Sequence, residues 1–260
     1  MLKASFRVLR QHKRLLVFPA LSITAEAVVI ASFALPYAMT KHGSSVDATH
    51  LTPLTDVLFA ICALVATTVS LFFTTGLFLA TADAMNRGEV SVNAALRGAV
   101  RRLPTIVAWA VASCTVSLIV RVVDRRVPIA SILFGVAWSC VSFLALPVMI
   151  FEGVGVRQGV RRAAAAFKGT WREQVVGTVR LGGLGLLLAI PAVLVFVIGI
   201  GTVNGPEIVL SIAICLLWLG LCTLVVSCLT GVYRVAVYRF VTSGVTPEEF
   251  RDLDLGLAFR

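Results

Sequence analysis

Acids are scarce in this 260-residue chain, with 13 Asp and Glu against 23 Lys and Arg. Histidine is rarer, and His12, His42 and His50 have no metal-ligand spacing. The six cysteines, Cys62, Cys114, Cys140, Cys215, Cys222 and Cys228, include no Cys-x-x-Cys pair and all fall inside apolar runs. There a free thiol behaves as a small hydrophobe, so neither a disulfide nor a metal centre is implied. Gly182, Gly183 and Gly185 follow no strand and make no nucleotide loop. A Ser-His-Asp set, a carboxylate pair or a metal cluster needs polar groups converging in a wet cleft. The chain offers too few, and we expect no enzyme, no metal and no cofactor.

Long uncharged runs are what it has in quantity. Residues 57–82, 103–120, 127–151, 181–206 and 208–233 contain no Asp, Glu, Lys or Arg, and 15–40 contains one acid, Glu26. A spanning helix takes about 20 apolar residues, so six spans are expected, at about 15–39, 57–82, 103–121, 128–151, 179–201 and 208–233. The third only just suffices, with Arg102 and Arg121 able to snorkel from its ends. With 58% hydrophobic and 14% charged residues, 1–260 reads as one all-α polytopic membrane domain. Residues 234–260 read as a short tail.

Charge placement orients the spans. Of 23 Lys and Arg, only Lys41, Arg121, Arg125 and Arg126 fall on one set of alternate connections. The positive-inside rule therefore predicts a plasma-membrane protein with both termini cytoplasmic, although the cluster at Asp124, Arg125 and Arg126 runs against it. The first run is too long for a signal h-region and reads as an uncleaved span. The net charge of +10 lies close to the spans, where it biases orientation, and nucleic-acid binding is not expected.

Each odd-numbered span follows a basic stretch with helical spacing. The first pairs Leu2, Phe6 and Leu9 with Lys3, Arg7, Arg10 and Arg14; the second pairs Leu96, Val100 and Leu103 with Arg97 and Arg101. The third sets Val156, Val160, Ala163, Phe167 and Trp171 beside Arg157, Arg161, Arg162, Lys168 and Arg172. Such stretches suit the headgroup layer, so three cytoplasmic interfacial amphipathic helices are expected, contacting anionic lipid or a partner membrane protein. The plainer reading is that these cations only set orientation.

Glu26 is the candidate for chemistry, because an acid at mid-membrane costs several kcal/mol unless it faces a cavity or polar partner. Hydroxyls at comparable depth are Ser22, Thr67, Thr68, Ser70, Ser113 and Ser139. Glu26 either couples a cation or proton pathway, or is a protonated acid holding helices together through hydroxyls. Ser131, Gly135 and Ser139 recur every four positions, as a packing or dimer seam would. Pro147 and Pro191 interrupt their spans and either kink them around a cavity or shape packing.

The stretch PVMIFEGVGVRQGVRRAAAAFKGTW, from Pro147 to Trp171, sets a proline before an acid-glycine turn (Glu152, Gly153), a basic helix with Arg161 and Arg162, and Trp171. With SFRVLRQHKRLLVFPALS at 5–22 and the segment from Ala82 through Arg87, Gly88 and Glu89 to Trp109, it resembles an uncharacterised family of six-helix prokaryotic membrane proteins. That family is similar to the membrane domain attached to some glycerophosphoryl diester phosphodiesterases. The resemblance implies a membrane fold and no activity. Glu152 reads as an inner-mouth acid or, better, as a cap for the basic helix. Trp109, Trp138, Trp171 and Trp218 read as packing or interface anchors. The leading expectation is a non-enzymatic accessory or scaffold protein engaging anionic lipid or a partner complex. The alternative is a small transporter or resistance permease using Glu26, and a membrane-embedded lipid enzyme is a remote third.

Overall fold

The computed structural model describes residues 9–40, 53–124, 126–201 and 205–243. Arg7, the loop 41–52, Arg125, the turn at 202–204 and the tail beyond Ser243 with its helix start at Thr246 lie outside the described residues, as do the side chains of Lys168, Trp171 and Arg172. After a 3-10 turn at Lys13–Leu16 come α1 (Val17–Thr40), α2 (Pro53–Arg87), α3 (Val92–Arg101), α4 (Leu103–Asp124), α5 (Pro128–Glu152), α6 (Val156–Gly201) and α7 (Gly205–Ser243). There are no strands among the described residues. A chain this apolar must satisfy its backbone within each segment, which a helix does and an open sheet cannot. Its hydroxyls follow suit: Thr24, Thr68, Thr74, Thr115 and Thr230 each donate to the carbonyl four residues earlier.

Four stretches are long and apolar enough to cross a membrane: Lys13–Ala34, Val57–Asn86, Leu103–Asp124 and Glu207–Phe240. Shorter apolar stretches, Ala137–Glu152 and Gly185–Val197, lie on α5 and α6. The six long helices alternate in direction. Their shared end gathers the arginines, and polar ties close it. Arg102 donates through Nε to the Ile150 carbonyl at 2.8 Å, in the last turn of α5, where carbonyls have no helical partner. Arg239 on α7 donates to Asn86 Oδ1 at 2.7 Å and to the Ala82 carbonyl, near the end of α2.

The core sits at this basic end. Leu15, Phe18, Phe78, Ile106, Leu144, Met149, Val232 and Val235 are fully buried there. Toward the far end apolar side chains face outward, with Val28, Ile30, Phe59, Ile119, Leu186, Val209 and Leu217 exposed. There α6 and α7 are closely paired at Gly199, where a Cβ would overlap Ser211. Near Pro191, which cannot donate a backbone hydrogen bond, the Trp218 indole donates to the Leu188 carbonyl at 2.8 Å. Trp109 and Trp138 stack between α4 and α5 at 5.5 Å.

Two sequence expectations change. The third basic stretch is no separate helix but the start of α6, whose 46 residues extend about 69 Å at 1.5 Å rise, over twice the thickness of a hydrocarbon core. The second does form its own helix, α3, capped by Ser91, whose hydroxyl accepts from the Ala94 amide. It ends at Arg102 because Pro104 cannot donate to the Val100 carbonyl and its ring crowds that position. Ala95 and Ala99 are its buried face, while Val100 and Leu103 are exposed. A Cβ at Gly98 would meet the end of the Leu79 side chain at 2.8 Å. Lastly, residues 234–243 belong to α7, because no glycine or proline falls between Arg234 and Ser243.

Candidate functional site

Between α1, α2 and α7 lies an open-sided cavity of about 290 Å³. From α1 it is lined by Phe18, Ser22 and Glu26, from α2 by Ser70, Thr74 and Phe78, and from α7 by Thr223, Ser227, Thr230 and Arg234. Helix directions put Phe18, Phe78 and Arg234 at its floor, toward the basic end, and Glu26, Ser70 and Thr223 at its top. At 1.5 Å per residue the lining extends about 12 Å along α1 and about 16 Å along α7. Close helix approach shapes the floor. A Cβ on Gly76 would meet the Phe18 ring at 2.9 Å, and one on Gly231 would overlap Leu77.

The two ends carry opposite chemistry. Glu26 Oε1 accepts from the Ser22 hydroxyl, one turn before it, at 2.6 Å. Thr74 and Thr230 have given their hydrogens to the Ser70 and Val226 carbonyls, at 2.8 and 2.7 Å. Toward the cavity their oxygens can therefore only accept. At the floor the Arg234 guanidinium lies over the Phe143 ring, 4.8 Å from its centroid, a cation–π contact. Its Nε is shut off from solvent and has no hydrogen-bond partner among the described residues. An orphaned buried donor costs about 1–3 kcal/mol, more when charged, unless something fills the role.

Of the seven residues singled out for an intramembrane site, Glu26, Ser22 and Ser70 meet in this cavity. Thr67 does not line it and accepts instead from the Cys114 thiol on α4, at 3.8 Å. Ser113 and Ser139, on α4 and α5, do not line it either. Arg234 was missed as a site residue, since its place at the end of an apolar run reads as an orientation charge. Thr223, Ser227, Thr230 and Arg234 nevertheless recur at spacings of four, three and four, one polar face in an otherwise apolar helix. That stripe was the available signal.

The inner-mouth residues form a different construction. Glu152 is the last residue of α5 and Gly153, at φ 65°, ends the helix in the left-handed conformation. Glu152 does not cap α6. It pairs instead with Arg162, two turns into that helix, and accepts from the Tyr238 hydroxyl at 3.5 Å, while Phe151 stacks on the Tyr238 ring at 5.1 Å. Pro147 is buried inside α5 just above. Of the cations expected at lipid, Arg10, Arg14, Arg97, Arg101, Arg157 and Arg161 are exposed, and Arg10 and Arg14 line a wide groove of about 1110 Å³ with Lys13, Asp83 and Glu89. On the Ser131–Gly135–Ser139 seam, nothing lies within 4 Å of a Cβ built at Gly135. Among the described residues no three His, Cys, Asp or Glu gather as metal ligands.

Residues 54–248 match the family of unknown function DUF6159. The chain belongs to that family. No curated protein and no solved structure matches it. The DUF6159 match runs from α2 through α7, so it takes in Ser70, Thr74, Ser227 and Arg234 but leaves Glu26 and the rest of α1 outside. It carries no activity with it.

Proposed function

We propose that this DUF6159 protein is a small, non-enzymatic membrane transporter that takes up a polar group in the α1–α2–α7 cavity, with Glu26 as the coupling acid. One observation carries the reading: Glu26 shares a single cavity with six hydroxyls and an arginine whose Nε has no hydrogen-bond partner among the described residues. A merely structural acid needs one partner, and Ser22 already supplies it. In the proposed topology the six long helices all span, both termini are cytoplasmic, and the basic end lies at the inner face of the cell membrane, where positive-inside placement puts it. The first turns of α6 and the helix α3 then rest among headgroups, in contact with anionic lipid. The likeness to membrane domains attached to some glycerophosphoryl diester phosphodiesterases belongs to the same proposal, as does a prokaryotic origin.

The test is proton movement into proteoliposomes holding a trapped pH dye under an imposed pH gradient. The native chain is expected to raise the rate several-fold over empty vesicles, and Glu26→Gln to return it to background with unchanged folding by circular dichroism. Equal rates for both chains would remove Glu26 from any coupling role.

A second reading, an accessory protein docked to a partner complex, is favoured by the exposed cations Arg10, Arg14, Arg97, Arg101, Arg157 and Arg161 at one end. Stable copurification of a partner membrane protein, lost on charge neutralisation at these positions and without any flux, would favour it.

A further inference from the structure

We propose that the group received by this cavity is the zwitterionic headgroup of a bilayer phospholipid bearing a primary ammonium, its phosphate on Arg234 and its ammonium toward Glu26. The inference rests on the transporter reading for its purpose but not for its chemistry. At the floor, Arg234 offers a buried donor without a partner among the described residues. A guanidinium presents a planar fork that matches phosphate oxygens, and the Phe143 ring beneath fixes that plane. Above it the surroundings reverse. Thr74 and Thr230 can only accept, and Glu26 is the acid at the top. An ammonium with three N–H donors suits such acceptors, whereas a quaternary ammonium has no hydrogens to give them. One acid and one base in the same cavity select a ligand with one charge of each sign.

The lip of the cavity indicates the source. Thr223 and Ser227 are exposed on the side of α7, within the stretch Glu207–Phe240, which is apolar enough to cross a membrane. Close by, Leu216, Leu217, Leu219 and Leu221 are exposed as well. A headgroup entering past Ser227 would leave its acyl chains against these leucines, in the bilayer. A free solute would gain nothing from that surface.

The experiment is a titration of the purified full-length chain in detergent with phosphatidylethanolamine, phosphatidylcholine, phosphatidylglycerol and soluble phosphoethanolamine, with bound species read by native mass spectrometry. Phosphatidylethanolamine is expected to bind at least about tenfold more tightly than the other three. A hydrogen bond to a charged group is worth about 1.5–3 kcal/mol, so Arg234→Gln and Glu26→Gln should each weaken it about 10- to 100-fold. Arg234→Lys, which keeps the charge and loses the fork, should fall between, and it also serves if Arg234→Gln fails to fold. Equal binding of phosphatidylglycerol or phosphatidylcholine, or indifference to both substitutions, would overturn the proposal. Equal binding of phosphoethanolamine would overturn the lipid source. Glu26-dependent flux without preference for phosphatidylethanolamine would sink this inference and leave the transporter standing, and the converse result would do the opposite.

Discussion

Ser227→Trp is expected to abolish proton flux and to weaken phosphatidylethanolamine binding, with the helical content and thermal midpoint of the chain almost unchanged. Ser227 lines the cavity on the exposed side of α7, so an indole there has room to leave the serine's position without displacing the core. Its rotamers either point into the 290 Å³ space or lie across its opening. Either placement excludes a headgroup, and a loss of at least about tenfold, roughly 1.4 kcal/mol, is the minimum expected in both assays. Val209→Trp, also exposed on α7 but outside both the cavity lining and the leucines at its lip, is the control and should behave as the native chain does. Matching losses in both variants would mean that bulk on α7, rather than occupation of the cavity, is responsible.

The largest effect on stability is expected from Gly199→Ala. A methyl group there would overlap both Oγ and Cβ of Ser211, which is itself buried and donates to the Ile208 carbonyl at 2.8 Å. Because Cβ cannot swing aside as the end of a long side chain can, α6 and α7 must separate. Overpacking of this kind costs about 3 kcal/mol. The neighbouring ties from Trp218 to Leu188 and from Cys215 to the Ala192 carbonyl depend on the same spacing. Thermal unfolding in detergent, followed by circular dichroism, should show a midpoint several degrees lower. Gly135→Ala, with nothing within 4 Å of its Cβ, should leave the midpoint in place or raise it, as alanine favours the helix.

Long uncharged runs made the helices legible in the sequence, because length and lack of charge decide whether a segment can lie in hydrocarbon. Their ends were less legible. Residues 234–243 looked like a tail because Arg234 and Arg239 end the apolar run, yet a helix continues wherever nothing breaks it. The single helix α6 was hidden for the same reason: the change from basic to apolar composition near Arg180 is a boundary of solvent, not of backbone. Glu26 and Ser22 were readable together, lying one turn apart on one helix, and Ser70 by depth alone. Arg234 was not, since its role depends on which helices meet at its level, and that follows from close packing at Gly76 and Gly231 rather than from any local pattern. The pairing of Glu152 was not legible either, because Arg162, ten residues later, becomes its neighbour only once Gly153 turns the chain.

The central claim is that Glu26 and Arg234 serve one site. A double-mutant cycle measures this directly, using phosphatidylethanolamine affinity for the native chain, Glu26→Gln, Arg234→Gln and the double variant. If one ligand bridges both groups, losing either end frees the other, and the double variant should bind only slightly more weakly than the worse single one, a coupling of about 1 kcal/mol or more. Strictly additive losses would mean two independent sites and would contradict the account.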